Sequence, residues 1–143
     1  MNPKRQAVLD IARTWLKTPW HHRARVKGAG VDCAQYPIAV YAEAGHIEEF
    51  DTGDYPPDWM MHRSEERFLE IVQRYADQVD APLPGDLAVY LVGRCFSHGA
   101  IVVEWPSIIH ASNRDRNVCY ADGTQGWLAE RDVQFWRLKG LGA

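Results

Sequence analysis

Apolar residues recur at two different spacings along this chain, and the spacing changes near Pro82. In the first part, Val8, Ile11, Ala12 and Trp15 fall on one helical stripe behind Asn2-Pro3, a capping residue followed by the imino acid that suits the first helical position. A helix over about 3–17 is predicted, stopped by Thr18-Pro19. A loop of glycines and cations runs from Trp20 to Gly30. Asp32 and Gln35 then have the spacing of a capping box, with Ile38, Tyr41 and Ala42 behind them and Gly45 to close a helix over about 33–44. Pro37 fits only a first turn, so that helix is expected to begin one or two residues late. Residues 46–63 carry Asp51, Gly53, Asp54, Pro56, Pro57 and Asp58 without a period and read as an irregular loop. Ser64 is the expected cap of a third helix, with Phe68, Ile71, Val72 and Tyr75 on one face and an end near Ala76.

Beyond Pro82 the texture is that of short strands separated by turns: Leu87 to Val92, Ala100 to Val103, Ile108 to Ala111, Val118 to Ala121 and Val133 to Leu138. Three helices followed by about five closely spaced strands predict an α+β domain, helices packed on an antiparallel sheet, spanning 1–143 as a single unit. A chain of 143 residues with 46% hydrophobic content can hold such a core without a disulfide or metal scaffold. The formal charge of −3 argues against nucleic acid or an anionic membrane as partner, and no apolar run reaches the roughly 18 residues of a membrane span. The N-terminal segment is amphipathic, with no signal peptide expected, so synthesis in the cytoplasm is the expectation.

Three cysteines without a CxxC pair leave at least one thiol unpaired. Cys33 stands at the predicted start of the second helix, where unpaired N–H groups lower a thiol pKa, while Asp32 opposes that by charge. A nucleophilic thiol needs a histidine to take its proton and return it to the leaving group. His98 and His110 flank a turn at Glu104-Trp105-Pro106-Ser107; a hairpin centred near Glu104 would make them cross-strand neighbours on one face, base and orienter. Cys95 and Cys119 have no such context and read as core residues. His21-His22 with Asp32 or His46 lacks fixed ligand spacing and reads as a solvated loop, so neither metal nor cofactor is expected.

These residues form a recognisable set. Val31-Asp32-Cys33-Ala34-Gln35, Pro84-Gly85-Asp86-Leu87-Ala88-Val89-Tyr90, Ser97-His98-Gly99-Ala100-Ile101-Val102 and Ile109-His110-Ala111 resemble, in order and spacing, the NlpC-type cell-wall cysteine peptidases. The resemblance implies a pared-down papain-like fold and hydrolysis of peptidoglycan stem peptides next to D-glutamate. By motif, Cys33 is the implied nucleophile, His98 the base and His110 the third member, with Trp20, Asp32 and Gln35 as implied substrate contacts; Arg23, in the basic loop just before the nucleophile, could receive substrate carboxylates. Ala34 and Gln35 stand where such enzymes usually carry Ser or Thr and Gly, and Trp20 stands where they carry tyrosine. Variation of this kind is similar to the phage-tail branch, which implies tail or injection-machine proteins as partners and delivery to the wall within a particle. The same triad also suits an amidase or acyl transferase, and a non-catalytic tail-assembly module on the same fold is the alternative from another class.

Overall fold

The computed structural model describes residues 1–53 and 66–143. Helix α1 spans Pro3–Thr14, with the Asn2 side chain accepting from the Arg5 N–H as expected of the cap. It ends three residues earlier than the periodicity suggests, because the sheet captures the chain. The Lys17 N–H donates to the Val118 carbonyl and the Val118 N–H to the Thr18 carbonyl, and Lys17 takes φ of 71° in between. A two-stranded ribbon follows, β1 at Arg25–Val26 and β2 at Gly30–Val31. Helix α2, Gln35–Glu43, starts late and places Pro37 in its first turn, where the missing N–H costs nothing. Gly45 closes it at φ of 83°. Helix α3 spans Arg67–Tyr75; its expected cap, Ser64, and positions 54–63 of the expected loop lie outside the described residues.

Six strands form the main sheet: β3 at Ala76–Val79, β4 at Leu87–Val92, β5 at Cys95–Glu104, β6 at Ser107–Ser112, β7 at Asn117–Asp122 and β8 at Val133–Leu138. Their order is β3-β8-β4-β5-β6-β7, with every neighbouring pair antiparallel. The five expected strands are all present. The sixth, β3, is an edge strand with Asp77 and Gln78 exposed, so it has no apolar alternation to announce it. No helix among the described residues is long and apolar enough to cross a membrane.

Helices α1, α2 and α3 cover one face of the sheet, where Val8, Leu9, Tyr36, Val40, Phe68, Ile101 and Ile109 share the main core. The opposite face carries a smaller cluster, with Ala88, Tyr90, Ala100, Val102 and Ile108 under Leu128. Gly99, between His98 and Ala100, is where the helices press closest on the sheet. A Cβ there would lie 2.8 Å from Pro37 Cγ and 3.0 Å from Phe68 Cζ, so only glycine fits.

The Pro84-Gly85-Asp86 corner is a structural lock. The Asp86 carboxylate is fully buried and accepts from Arg5 Nη1 at 3.0 Å, from Arg137 Nε at 3.1 Å and Nη2 at 2.8 Å, and from the Leu83 N–H at 2.8 Å. Arg5, 2% exposed, also donates to the carbonyls of Pro84 and Gly142. A helix, the β3–β4 connection, β8 and the C-terminal segment thus converge on one carboxylate.

Candidate active site

Cys33 follows β2 and precedes α2 by two residues. Asp32 is buried and committed to shaping this junction: one carboxylate oxygen accepts from the N–H groups of Ala34 (3.1 Å) and Gln35 (2.8 Å), the other from that of Arg23 (2.8 Å). It therefore caps the helix and ties down the preceding loop. The Gln35 side chain does not close a reciprocal capping box; its amide donates to Thr52 Oγ1 at 2.7 Å.

The Cys33 thiol donates to the Ser97 carbonyl at 3.8 Å, which sets the sulfur against β5 one residue from His98. His98 Nε2 lies 2.8 Å from His110 Nδ1, with the rings 5.0 Å apart and nearly perpendicular. Both imidazoles are buried. The hairpin register differs from the expected one by a step of two: His110 pairs with Ala100, so His98 is its diagonal neighbour. Glu104 pairs with Ser107 across the Trp105-Pro106 turn, and a one-residue bulge between Val102 and Glu104 resets the register to Ala100 opposite His110; this even register keeps His98 and His110 on one face, so the histidines still meet.

With Nε2 of His98 committed to His110, Nδ1 is the nitrogen left to accept a proton. If His98 takes a proton there, its Nε2–H donates to His110 Nδ1, and His110 must carry its own proton on Nε2. That Nε2 is buried and has no hydrogen-bond partner among the described residues.

The electrostatics favour neutral partners at rest. Burial, then the charge of Asp32, pushes the Cys33 thiol far up, and the backbone N–H groups of Cys33 and Ala34 only partly offset this. The expected lowering by a helix N-terminus is therefore outweighed by desolvation. Burial, followed by His110 and Arg131, holds His98 well below its ordinary value. His110 is lowered to about 4 by burial, with Asp115 opposing. Such a pair stores no thiolate–imidazolium charge separation at rest.

Sequence reasoning missed the wall around the histidines. Trp127, in a short 3₁₀ turn at Gly126–Leu128, stands edge-on to His98 at 4.9 Å and stacks on His110 at 6.1 Å and 16°. Arg114 and Arg131 lie over its ring at 4.9 and 5.6 Å. No motif marks this tryptophan; only the tertiary packing does. Asp115 and Cys119 were missed as well, although the turn between β6 and β7 makes Cys119 the direct cross-strand partner of His110. Burial, then the charge of Asp115 and a hydrogen bond to it, raises the Cys119 thiol to about 11. Among the described residues, His110, Asp115 and Cys119 are also the group whose ligand atoms could hold a metal, in contrast to His21 and His22.

The remaining expected contacts divide. Trp20 lies beside Val31 through a parallel bridge, and its indole N–H is buried with no partner among the described residues. Arg23 is exposed at φ of 63°. Gln35 and Ala34 border a cleft completed by Phe50, Thr52, Arg67 and Arg74. None of the three cysteines forms a disulfide.

The architecture can be matched to solved structures. It superposes on the NlpC/p60 domain of the peptidoglycan hydrolase SagA with a TM-score of 0.60 and 19% identity, covering 94% of this chain and 97% of that one. The fold is that of the NlpC/p60 domains. NlpC2 from Trichomonas vaginalis matches with a TM-score of 0.68 and 17% identity over 96% of this chain and 46% of its own. An NlpC/p60 family protein from Bacillus cereus matches with a TM-score of 0.64 and 19% identity over 94% of this chain and 40% of its own. The chain thus spans less than half of these two longer NlpC/p60 proteins. No protein-family model and no curated protein matches the sequence.

Proposed function

We propose that this NlpC/p60-fold chain is a cysteine peptidase of the bacterial cell wall, cleaving peptidoglycan stem peptides near a D-glutamyl bond. The observation that carries the reading is the order Cys33, Ser97 carbonyl, His98, His110: a thiol held against the strand that carries one histidine, which is hydrogen-bonded at 2.8 Å to a second. A peptidoglycan hydrolase shares the fold over nearly its whole length, which supports the choice of substrate.

In this reading the Cys33 proton passes to His98 Nδ1 as sulfur attacks the scissile carbonyl carbon, and the resulting imidazolium is stabilised by His110 behind it. The oxyanion would be met by the Cys33 N–H and by the unpartnered indole N–H of Trp20, which replaces the phenol that related enzymes carry. His98 returns the proton to the leaving amine, and a thioester to Cys33 remains. Water, deprotonated by His98, then hydrolyses it. The cleft beside α2 is lined by Arg67 and Arg74 together with Asp51 and Glu70, a mixed-charge wall that suits both the carboxylates and the amines of a stem peptide.

The test is mass spectrometry of muropeptides after incubation with the purified chain and with its Cys33→Ala variant. New fragments that depend on Cys33 and break a peptide bond support the reading. Release of the glycan-linked amide, or acyl transfer without hydrolysis, would replace it by an amidase or transferase, and absence of any product with wild-type chain would make it a binding module. Delivery by a phage tail is part of this proposal and rests on the motif resemblance alone. Wall damage in cells that express this chain should then depend on particle proteins, and Cys33-dependent damage without them would refute it.

A further inference from the structure

We propose that His110, Asp115 and Cys119 form a binding site for a thiophilic divalent cation, zinc foremost, and that its occupation switches the peptidase off from behind the histidine pair. The site itself stands on geometry; the switch rests on the function proposed above.

The ligand atoms of the three residues, one nitrogen, one carboxylate oxygen and one sulfur, all lie within 4.8 Å of one another. Nδ1 of His110 is engaged by His98, so Nε2 is the nitrogen left for the group, and it is the buried atom that has no hydrogen-bond partner among the described residues. Around a tetrahedral zinc, with bonds of about 2.0–2.3 Å, neighbouring ligand atoms sit roughly 3.4–3.8 Å apart, so the observed spread has to close by about 1 Å. Asp115 can supply that movement, because it is exposed on the 113–116 turn, whereas His110 and Cys119 are fixed opposite each other on β6 and β7. The mixed nitrogen, sulfur and oxygen donors suit zinc better than magnesium or calcium. On binding, the cation takes the Nε2 lone pair, the Asp115 carboxylate and the Cys119 thiolate, whose proton leaves to solvent, and water fills the fourth position.

The consequence for the reaction follows from where the imidazole protons must lie. A metal on Nε2 obliges His110 to carry its proton on Nδ1 and donate it to His98 Nε2. His98, accepting there, keeps its own proton on Nδ1, the nitrogen that must be bare to take the proton from Cys33. Turnover needs the reverse arrangement. Metal binding and turnover therefore demand opposite tautomers of the same two rings, and the nucleophile is disarmed without being touched.

The experiment titrates the whole chain with Co²⁺ and Zn²⁺, comparing wild type with Cys119→Ser, Asp115→Asn and Cys33→Ser. A thiolate-to-cobalt charge-transfer band should appear in wild type and Cys33→Ser, vanish in Cys119→Ser and need at least tenfold more cobalt in Asp115→Asn. No band in wild type, or a band lost in Cys33→Ser and kept in Cys119→Ser, overturns the site. Zinc should inhibit muropeptide hydrolysis reversibly with chelator, and Cys119→Ser should need at least tenfold more zinc for the same inhibition. Equal zinc sensitivity of the two proteins overturns the switch. A chain that shows the cobalt band but no hydrolysis under any condition would instead count against the proposed function and leave the metal site standing.

Discussion

Replacing Asp86 by asparagine keeps the shape of the side chain and removes its charge. Two arginines then lose their common anion, and one of them, Arg5, is 2% exposed and has no other carboxylate in contact among the described residues. Breaking a buried ion pair from one side costs about 3–5 kcal/mol, most of it the penalty of an uncompensated charge held away from water. The Leu83 N–H and three arginine N–H groups would face an amide that presents one acceptor oxygen in place of two. A loss of about 4 kcal/mol is therefore expected. For a chain of 143 residues the entropy of unfolding is about 0.3 kcal/mol/K, which converts this loss into a fall of about 10–15 °C in Tm. Calorimetry and urea unfolding followed by circular dichroism measure both quantities, and coincidence of the probes checks that the transition is two-state. The triple change Arg5→Met, Asp86→Leu, Arg137→Met should recover part of the loss, since no stranded charge remains. A cost below about 1 kcal/mol for Asp86→Asn, or a triple variant less stable than the single one, would refute the view of this carboxylate as the lock between α1, β8 and the C-terminal segment.

Three further outcomes are expected. His98→Ala should reduce kcat/KM by about 10²–10⁴-fold, the worth of general-base catalysis, whereas His110→Ala should reduce it less; steady-state kinetics on a muropeptide in which His110→Ala proves the more damaging, with folding intact, would reverse the two roles. Because burial holds both imidazoles below the ordinary histidine value of 6.5, His110 at about 4, the unfolded chain binds more protons than the native one between these limits. The contribution is present above pH 6.5 and lost as the pH falls toward 4, and urea midpoints at the two ends should show a smaller acid loss in His110→Gln than in wild type. Iodoacetamide should label Cys33 slowly at neutral pH and faster toward alkaline pH, because burial and Asp32 favour its protonated form; a labelling rate already at its plateau below pH 7 would show a preformed thiolate instead.

The parts of the molecule that sequence reveals and those it hides differ in kind. Pro3, Pro37 and Gly45 act through their own backbones, so the start of α1, the late start of α2 and its closure are legible at each position. The four interior strands show themselves because burial imposes apolar runs, and the edge strand β7 shows itself through Val118 to Ala121. Strand β3 is hidden because an exposed edge leaves its composition unconstrained. The meeting of His98 and His110 is legible only on condition of the right hairpin parity, and the one-residue bulge at Val102 that sets this parity, and with it their diagonal relation, has no sequence signature. Trp127 reaches the histidines from a turn some seventeen residues along, a distance in sequence that no local pattern spans. The protonation preference at Cys33 is hidden for a related reason. Helix position can be read locally, whereas desolvation is a property of everything packed around the sulfur.

Gly99 leaves α2 and α3 almost flush with β5, and this contact has a meaning for how the site could drift in evolution. The thiol belongs to the helical layer and the imidazoles to the sheet, so their alignment is a tolerance between two separately built parts, gauged at a shim of zero thickness one residue from His98. Any side chain at that position is a wedge. It would lift one layer from the other while every chemical group stayed present. A descendant of this chain could thus become a pure binding protein with its cysteine and both histidines unchanged, and a census of those three side chains would fail to notice.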